Sequence, residues 1–218
     1  MATRKKKTTA KKKAPVAKPV RKIVAIKVAA TEFDTLEFKD AAAFRTWLKR
    51  NHTASPGIWI KLAKKGSGQK SITYPEAVDG ALRWGWIDGQ GKGIDDSHWL
   101  TKFTPRRARS IWSKINREKV AGLIARDEME APGLAEIERA KADGRWDAAY
   151  DSPKSAVVPE DFAKALAAKP KAAAFFKTLN GANRYAILWR LQTAKRPETR
   201  AKRIEQFVAM LVRGEKIH

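Results

Sequence analysis

Residues 73–103, TYPEAVDGALRWGWIDGQGKGIDDSHWLTKF, carry the clearest structural signals in the chain. The Thr-x-x-Glu spacing at 73–76 is typical of a capping box and predicts a helix that ends at Gly85. The aromatic and β-branched runs that follow predict two strands, near 86–92 and 98–103, with glycines at their junction. A helix that leads into a pair of strands indicates an α+β fold.

The sequence before residue 73 contains the same two kinds of pattern. Apolar runs near 35–38 and 58–63 predict two further strands. Between these runs, Asp40 is placed as the N-cap of a helix with apolar residues at i, i+3 and i+4. These elements predict a domain over residues 31–150, in which helices flank a small antiparallel sheet.

After Pro105 the apolar periodicity becomes helical. Two amphipathic patterns precede residue 150, and the apolar stripe of the first begins at Trp112. A Pro/Ser/Asp-rich stretch at 151–159 is typical of a linker. Beyond it, helical patterns predict a C-terminal helical bundle over residues 151–218. The four predicted helices of this bundle lie at 159–168, 171–179, 182–194 and 197–213.

Positive charge is concentrated at the N-terminus of the chain. Lys and Arg number 46 against 23 Asp and Glu, and residues 1–30 hold eleven of the basic residues and no acidic one. This segment has little to bury, so we expect a disordered Lys/Ala/Pro-rich arm over residues 1–30. Closely spaced ammonium groups displace counterions from phosphates, which favours nucleic acid or another polyanion as a partner; a solvated tail or an anionic lipid surface is the alternative. The lysines expected to make this contact are Lys5, Lys6, Lys7, Lys11, Lys12 and Lys13.

The composition excludes several functional classes. The chain has no cysteine, which excludes disulfides, thiolate catalysis and cysteine-ligated metals. It has three histidines, and we predict no metal site, no cofactor and no catalytic residue. No apolar run approaches the ~18 residues of a membrane span and no secretory signal is found, so the expected location is the cytoplasm.

Arginines alternate with aromatic residues in FTPRRARSIWS at 103–113. Guanidinium groups bind phosphate or carboxylate in bidentate fashion, and a helix that begins near Ser113 adds unpaired N–H donors. The pattern predicts an anion-binding site, but the same arginines are also able to pair with Asp88, Asp95 or Asp96. The candidate anion-binding residues are Arg106, Arg107, Arg109 and Ser113.

Two neighbouring patterns favour a structural role over a ligand-binding one. The glycines of GQGKG at 89–93 resemble a phosphate-binding loop, but no helix follows them, which favours the tip of a hairpin. The carboxylates and His98 that follow fit no metal-ligand template and are typical of a turn.

Several ordered motifs carry a resemblance to a known family. They are GWIDG at 85–89, FTPRR at 103–107, SIWSKIN at 110–116, AKADGRWDAAYD at 140–151, NRYAILWRLQTAK at 183–195, ETRAKRI at 198–204 and FVAMLVRGEKIH at 207–218. The chain resembles the YdeI/OmpD-associated family, also described as bacteriocin-protection proteins, over roughly residues 31–218. The resemblance implies a link to envelope stress and antimicrobial-peptide resistance, with an envelope protein as a partner, and it implies no catalytic residues.

The charge and the resemblance together predict a non-enzymatic, basic accessory protein of the stress response, whose arm binds nucleic acid or another polyanion. The alternative is a small-molecule-binding protein or an enzyme. Its pocket would lie between Trp84, Trp86 and Asp88 on one side and Arg106 and Arg107 on the other. A cavity that holds Asp88 near these arginines favours the alternative, whereas a flat basic surface favours the first function.

Overall fold

A computed structural model describes residues 33–218 of the chain. The predicted arm at 1–30, with the six lysines expected to contact phosphates, lies outside the described residues. The predicted α+β fold is confirmed, with a four-stranded sheet and helices in the N-terminal half and helices alone in the C-terminal half. No helix within residues 33–218 has the length and apolar character needed to span a bilayer.

The secondary structure follows the predicted order closely. In chain order the elements are β1 (Thr35–Glu37), α1 (Ala41–Asn51), β2 (Ile58–Ala63), α2 (Tyr74–Arg83), β3 (Trp86–Gly93), β4 (His98–Pro105), α3 (Lys114–Ala125), α4 (Ala131–Ala142), α5 (Glu160–Ala167), α6 (Pro170–Thr178), α7 (Gly181–Gln192) and α8 (Pro197–Val212).

The sheet has the strand order β1-β2-β4-β3. Strands β2, β4 and β3 pair antiparallel, as predicted, but β1 pairs parallel with β2. The parallel pair follows from the connection, because helix α1 carries the chain back across the sheet before β2 begins. The sheet is therefore mixed, with a parallel edge at β1.

Local capping bonds fix where helices α1 and α2 begin. The Asp40 side chain accepts the backbone N–H of Ala43 at 2.8 Å at the start of α1. At the start of α2, Thr73 and Glu76 form the predicted reciprocal capping box. Gly85 follows α2 with φ of +72°, a conformation that favours glycine, and so directs the chain into β3.

Two predicted local features take a different form in the structure. The glycines of 89–93 lie within strand β3, where the pairing register shifts between Asp88 and Gly91, and they do not form the tip of the hairpin. Trp112 is buried but precedes α3, because Ser113 is the N-cap of that helix. The helix predicted from the apolar periodicity, which included Trp112, therefore starts earlier than α3 does in the structure.

The buried apolar residues form two principal clusters. The N-terminal core extends from Leu36 to Ala149 and fills the space between the sheet and helices α1 to α4. The C-terminal core extends from Phe162 to Leu211 and is formed by helices α5 to α8. The segment that joins them, around Tyr150 to Pro153, therefore lies between two separately packed bodies of apolar side chains.

Helices α2 and α4 approach closely through two glycines. A Cβ atom at Gly85 would lie 2.8 Å from Cγ of Glu136, and one at Gly133 would lie 2.8 Å from the carbonyl carbon of Arg83. The Arg83 carbonyl also accepts the N–H of Glu130 at 3.1 Å. Glycine at both positions lets the start of α4 contact the end of α2 backbone to backbone.

Arginines of helix α8 support the C-terminal end of helix α7. Arg200 donates from Nη1 to the carbonyl oxygen of Leu191 at 2.7 Å, and Arg203 donates to the carbonyl oxygen of Arg190. Arg200 also pairs with Asp161 of α5, with 2.6 Å between Nε and Oδ2. This basic group thus satisfies terminal helix carbonyls and joins three helices of the C-terminal core.

Candidate functional site

A cavity of about 380 Å³ opens where helices α2 and α3 meet the segment that joins the two cores. We call it the tyrosine cavity, because all three tyrosines of the chain line it. Its wall includes residues from α2, β3, α3 and α7 as well as the joining segment. The lining residues are Tyr74, Pro75, Val78, Asp88, Ser113, Ile115, Asn116, Lys119, Tyr150, Ser152, Pro153 and Tyr185.

The carboxylate in the wall is contributed by strand β3. The Tyr74 hydroxyl donates to Oδ2 of Asp88 at 2.6 Å, which leaves Oδ1 free to accept a second donor. Burial and the adjacent Asp88 charge both raise the pKa of Tyr74 above its ordinary value. Tyr74 therefore stays protonated at neutral pH and holds one edge of the carboxylate in a fixed orientation.

The other two phenols lie on the side of the joining segment. The Tyr185 hydroxyl donates to the carbonyl oxygen of Asp151 at 2.8 Å, and burial with the nearby Tyr150 and Asp151 raises its pKa to about 12. Burial and the Asp88 charge also raise the pKa of Tyr150, against an opposing effect of Arg106. Both phenols are therefore neutral at physiological pH and offer hydrogen-bonding groups beside aromatic surface.

Asp151 ties the joining segment to both halves of the structure. Its carboxylate receives Nζ of Lys114 on α3 at 2.6 Å and Nε2 of Gln192 on α7 at 2.6 Å. The bonds from Lys114 and Gln192 keep the pKa of Asp151 below its ordinary value. Lys114 also donates its backbone N–H to the carbonyl oxygen of Tyr150 at 2.9 Å. These contacts fix the wall of the tyrosine cavity at the boundary between the cores.

The first turn of helix α3 forms another side of the cavity. Ser113 is the N-cap, and its Oγ accepts the backbone N–H of Asn116 at 3.1 Å. The side chain of Asn116 is only 9% exposed, and its amide has no hydrogen-bond partner within residues 33–218. The backbone N–H of Ile115 is also unpaired in this part of the chain. The Asn116 amide lines the cavity and is therefore free to bond a ligand or water that enters it.

The basic residue of the wall, Lys119, is held by a neighbouring helix. Its Nζ lies 2.6 Å from Oδ1 of Asp79, which belongs to α2 and is not part of the lining. The charged side chains that line the cavity are therefore Asp88 and Lys119, whose formal charges cancel.

Arg106 lies behind this wall, buried in the N-terminal half. Its side chain is 5% exposed, stacks 3.5 Å above the ring centre of Trp112 and donates Nη1 to the carbonyl oxygen of Ile111 at 3.2 Å. Its Nε and Nη2 atoms have no hydrogen-bond partner among the residues that the structure describes. Burial lowers its pKa to about 10, with partial compensation from negative groups that include Glu136 and Asp88.

The structure separates the remaining residues of the predicted anion-binding cluster. Arg107 and Arg109 are exposed on the loop before α3, whereas Arg106 is buried and Ser113 caps the helix. The Ser110 hydroxyl accepts the backbone N–H of Arg107 at 2.9 Å, which shapes this loop. The three arginines therefore do not form one surface.

The predicted tryptophan wall is likewise divided. Trp86 is fully buried in the N-terminal core, and its indole N–H donates to the carbonyl oxygen of His52 at 3.2 Å. Trp84 is half-buried with its ring centre 4.3 Å from that of His52. Of the three residues Trp84, Trp86 and Asp88, the last is the one that lines the tyrosine cavity.

The carboxylates of the β3–β4 turn have a local role. Oδ1 of Asp95 accepts the backbone N–H groups of Ser97 at 2.7 Å and His98 at 2.6 Å. The Ser97 hydroxyl also donates to Oδ1 at 2.8 Å, and this bond, followed by the backbone bonds, lowers the pKa of Asp95 to about 2. Asp95 therefore closes the turn, as the turn-forming interpretation of this segment predicts.

Sequence reasoning did not identify the tyrosines as site residues. They lie far apart in the chain, and none has the spacing of a known motif. A usable signal was nevertheless present, because Asp88, Asn116, Tyr150 and Tyr185 fall in four different stretches that carry the family resemblance. The tyrosine cavity is the place where these four stretches meet.

Comparison with known proteins identifies two regions of the chain. Residues 36–136 match the model of a domain of unknown function, DUF8412. No curated protein and no solved structure matches the chain. Residues 155–214, which form the four helices of the C-terminal core, match the family described as bacteriocin-protection, YdeI or OmpD-associated, and the family resemblance expected from the sequence is confirmed for this region.

Proposed function

We propose that the protein is an accessory binding protein that holds a small polar molecule in the tyrosine cavity. The observation that carries this proposal is the Asn116 amide, which lines the cavity and has no hydrogen-bond partner within residues 33–218. Supporting features are the volume of about 380 Å³, within the range of ligand sites, and the convergence of hydroxyl, amide and carboxylate groups on it.

Binding is favoured over catalysis by the state of the ionisable groups in the wall. The carboxylate of Asp88 is oriented by Tyr74, and the ammonium group of Lys119 is engaged by Asp79. Both groups are held in place by neighbours, an arrangement suited to recognition. The family description names bacteriocin protection, and we place this binding in a stress-related role on that basis.

Blocking the mouth of the cavity tests the proposal. Ile115 is 44% exposed at the rim, and Ile115→Trp is expected to fill the opening without changing the core. Native mass spectrometry of protein purified gently from its own cells should show a bound small molecule in wild type and lose it in this variant. Ile124→Trp is the matched control, because Ile124 is 48% exposed on the same helix but outside the cavity. A wild-type protein without a bound molecule, or an Ile115→Trp protein that retains it, contradicts the proposal.

We also propose a second function, non-specific binding of nucleic acid by the N-terminal arm. It is favoured by the eleven basic residues and the absence of acidic ones in residues 1–30. Each neutralised phosphate contributes about −0.9 to the slope of log K against log salt, so six to eight contacts predict a slope of roughly −5 to −7 on duplex DNA.

Removing residues 1–30 is expected to flatten this slope and weaken binding, as measured by fluorescence anisotropy over a salt series. A variant with arginine in place of the six arm lysines keeps the charge and should keep the slope. Equal affinity and slope in the truncated protein would show that the rest of the chain, and not the arm, binds the nucleic acid.

A further inference from the structure

We propose that the tyrosine cavity selects a zwitterion, a small molecule with both an ammonium and a carboxylate group, such as a free α-amino acid. This inference rests on the proposed binding function and adds the chemical class of the ligand. It follows from the separate placement of one negative and one positive pole in the same wall.

The negative pole is the free oxygen of Asp88. Tyr74 occupies Oδ2, and Asp88 forms no salt bridge with any residue in the 33–218 range, so Oδ1 is left to receive an ammonium group. The ring of Tyr74, beside this carboxylate, adds the aromatic surface to which cations are attracted. An amine bound here makes a charge-assisted hydrogen bond with an acceptor that is already oriented.

The positive pole is the N-terminus of helix α3. The unpaired N–H of Ile115 and the positive end of the helix dipole favour an anionic group. The second, independent observation is Asn116, a residue only 9% exposed that lines the same wall. Its amide has no hydrogen-bond partner in the described part of the chain and supplies two further N–H donors.

The balance of charge selects between ligand classes. An anion with no amine gains from the N-terminus of α3 but is repelled by Asp88. An amine with no carboxylate gains from Asp88 but is disfavoured by the positive end of the α3 dipole. A zwitterion satisfies both poles and leaves the net charge of the wall unchanged. The lining also includes apolar groups that provide a surface for an apolar side chain, namely Pro75, Val78 and Pro153.

The test is a thermal-shift screen of the full-length protein against the twenty amino acids, followed by calorimetric titration of the best binder. Two analogues of that amino acid are titrated beside it, the amine that lacks the carboxylate and the acid that lacks the amine. Each analogue lacks one charge-assisted bond and should therefore bind about 10- to 150-fold more weakly than the amino acid.

Two variants test the poles separately. Asp88→Asn keeps an acceptor for Tyr74 and should weaken the amino acid and the amine but not the acid. Asn116→Asp places a carboxylate in the first turn of α3, where it suits the helix dipole, and should weaken the amino acid and the acid but not the amine. Asp96→Asn, on the exposed β3–β4 turn, is the matched control and should change none of the three affinities.

The outcomes separate this inference from the proposed function. An amino acid that binds with the two expected variant patterns supports the zwitterion. The zwitterion proposal is overturned if native mass spectrometry finds a bound molecule while no amino acid binds. It is also overturned if an analogue binds as tightly as the amino acid. In both cases the proposed binding function stands. If neither experiment detects a ligand, both proposals fail.

Discussion

Gly133→Ala is expected to lower the free energy of unfolding by about 3 kcal/mol, because an added methyl group has no space at the α2–α4 contact. The new Cβ would lie 2.7 Å from Cε of Met129 and 2.8 Å from the carbonyl carbon of Arg83. The methionine can move, but the Arg83 backbone is held by its hydrogen bond to Glu130 at 3.1 Å. For a chain of this size the loss corresponds to a melting temperature lower by about 6–12 °C.

Gly122→Ala provides the matched control for this prediction. Gly122 lies within helix α3, and its added Cβ would meet only the flexible end of Arg126 at 3.3 Å. Because alanine is favoured over glycine inside a helix by about 0.5–1 kcal/mol, this variant should be neutral or more stable. The measurement is chemical denaturation of both variants. Equal stability of the two proteins would mean that α2 and α4 separate without cost.

Arg106→Ala should produce a second large loss, again of about 3 kcal/mol. The substitution removes the guanidinium group that stacks 3.5 Å above Trp112, leaves the Ile111 carbonyl without its donor and opens a cavity in a buried region. Stability is measured by thermal and chemical unfolding, and sulfate binding is measured in parallel. Stability and sulfate binding together distinguish an arginine that stabilises the fold from the anion-binding arginine that the sequence predicts.

Arg107→Ala is the control for Arg106→Ala, because Arg107 is exposed on the same loop. Its effect on stability should stay within about 0.5 kcal/mol. If Arg106→Ala abolishes sulfate binding and leaves the melting temperature unchanged, Arg106 belongs to an anion site. If it lowers the melting temperature and wild type does not respond to sulfate, Arg106 supports the fold.

The helices were predictable because their start signals are local. Asp40 and the Thr73–Glu76 pair form bonds within one turn, so the sequence spacing alone specifies them. The parallel pairing of β1 was not predictable in this way, since it depends on where α1 returns the chain. Trp112 was assigned to a helix because its apolar side chain has helical spacing from those that follow, although Ser113, the next residue, is extended and caps the helix.

The candidate site was predictable only in part. Asp88 was identified from its aromatic neighbours, and Ser113 was identified as a helix cap. The tyrosines and Asn116 were not identified, because their role depends on long-range packing that brings α2, α3 and α7 to the joining segment. Asn116 in particular has no distinguishing sequence pattern, and its significance comes from its place in the cavity wall without a hydrogen-bond partner among residues 33–218.

The position of the tyrosine cavity at the boundary of the two cores has a consequence for turnover of the chain. Tyr74 and Val78 belong to the N-terminal half of the structure, and Tyr185 belongs to the C-terminal half. Asp151 bonds to both halves at the boundary between them. A ligand that contacts both halves binds only while both are folded and packed together. By mass action, an abundant ligand therefore stabilises the whole chain against unfolding. When the ligand is scarce, the two halves separate more often, and the joining segment becomes accessible to proteases. Cellular abundance of this protein would then follow the supply of its ligand without any change in its synthesis.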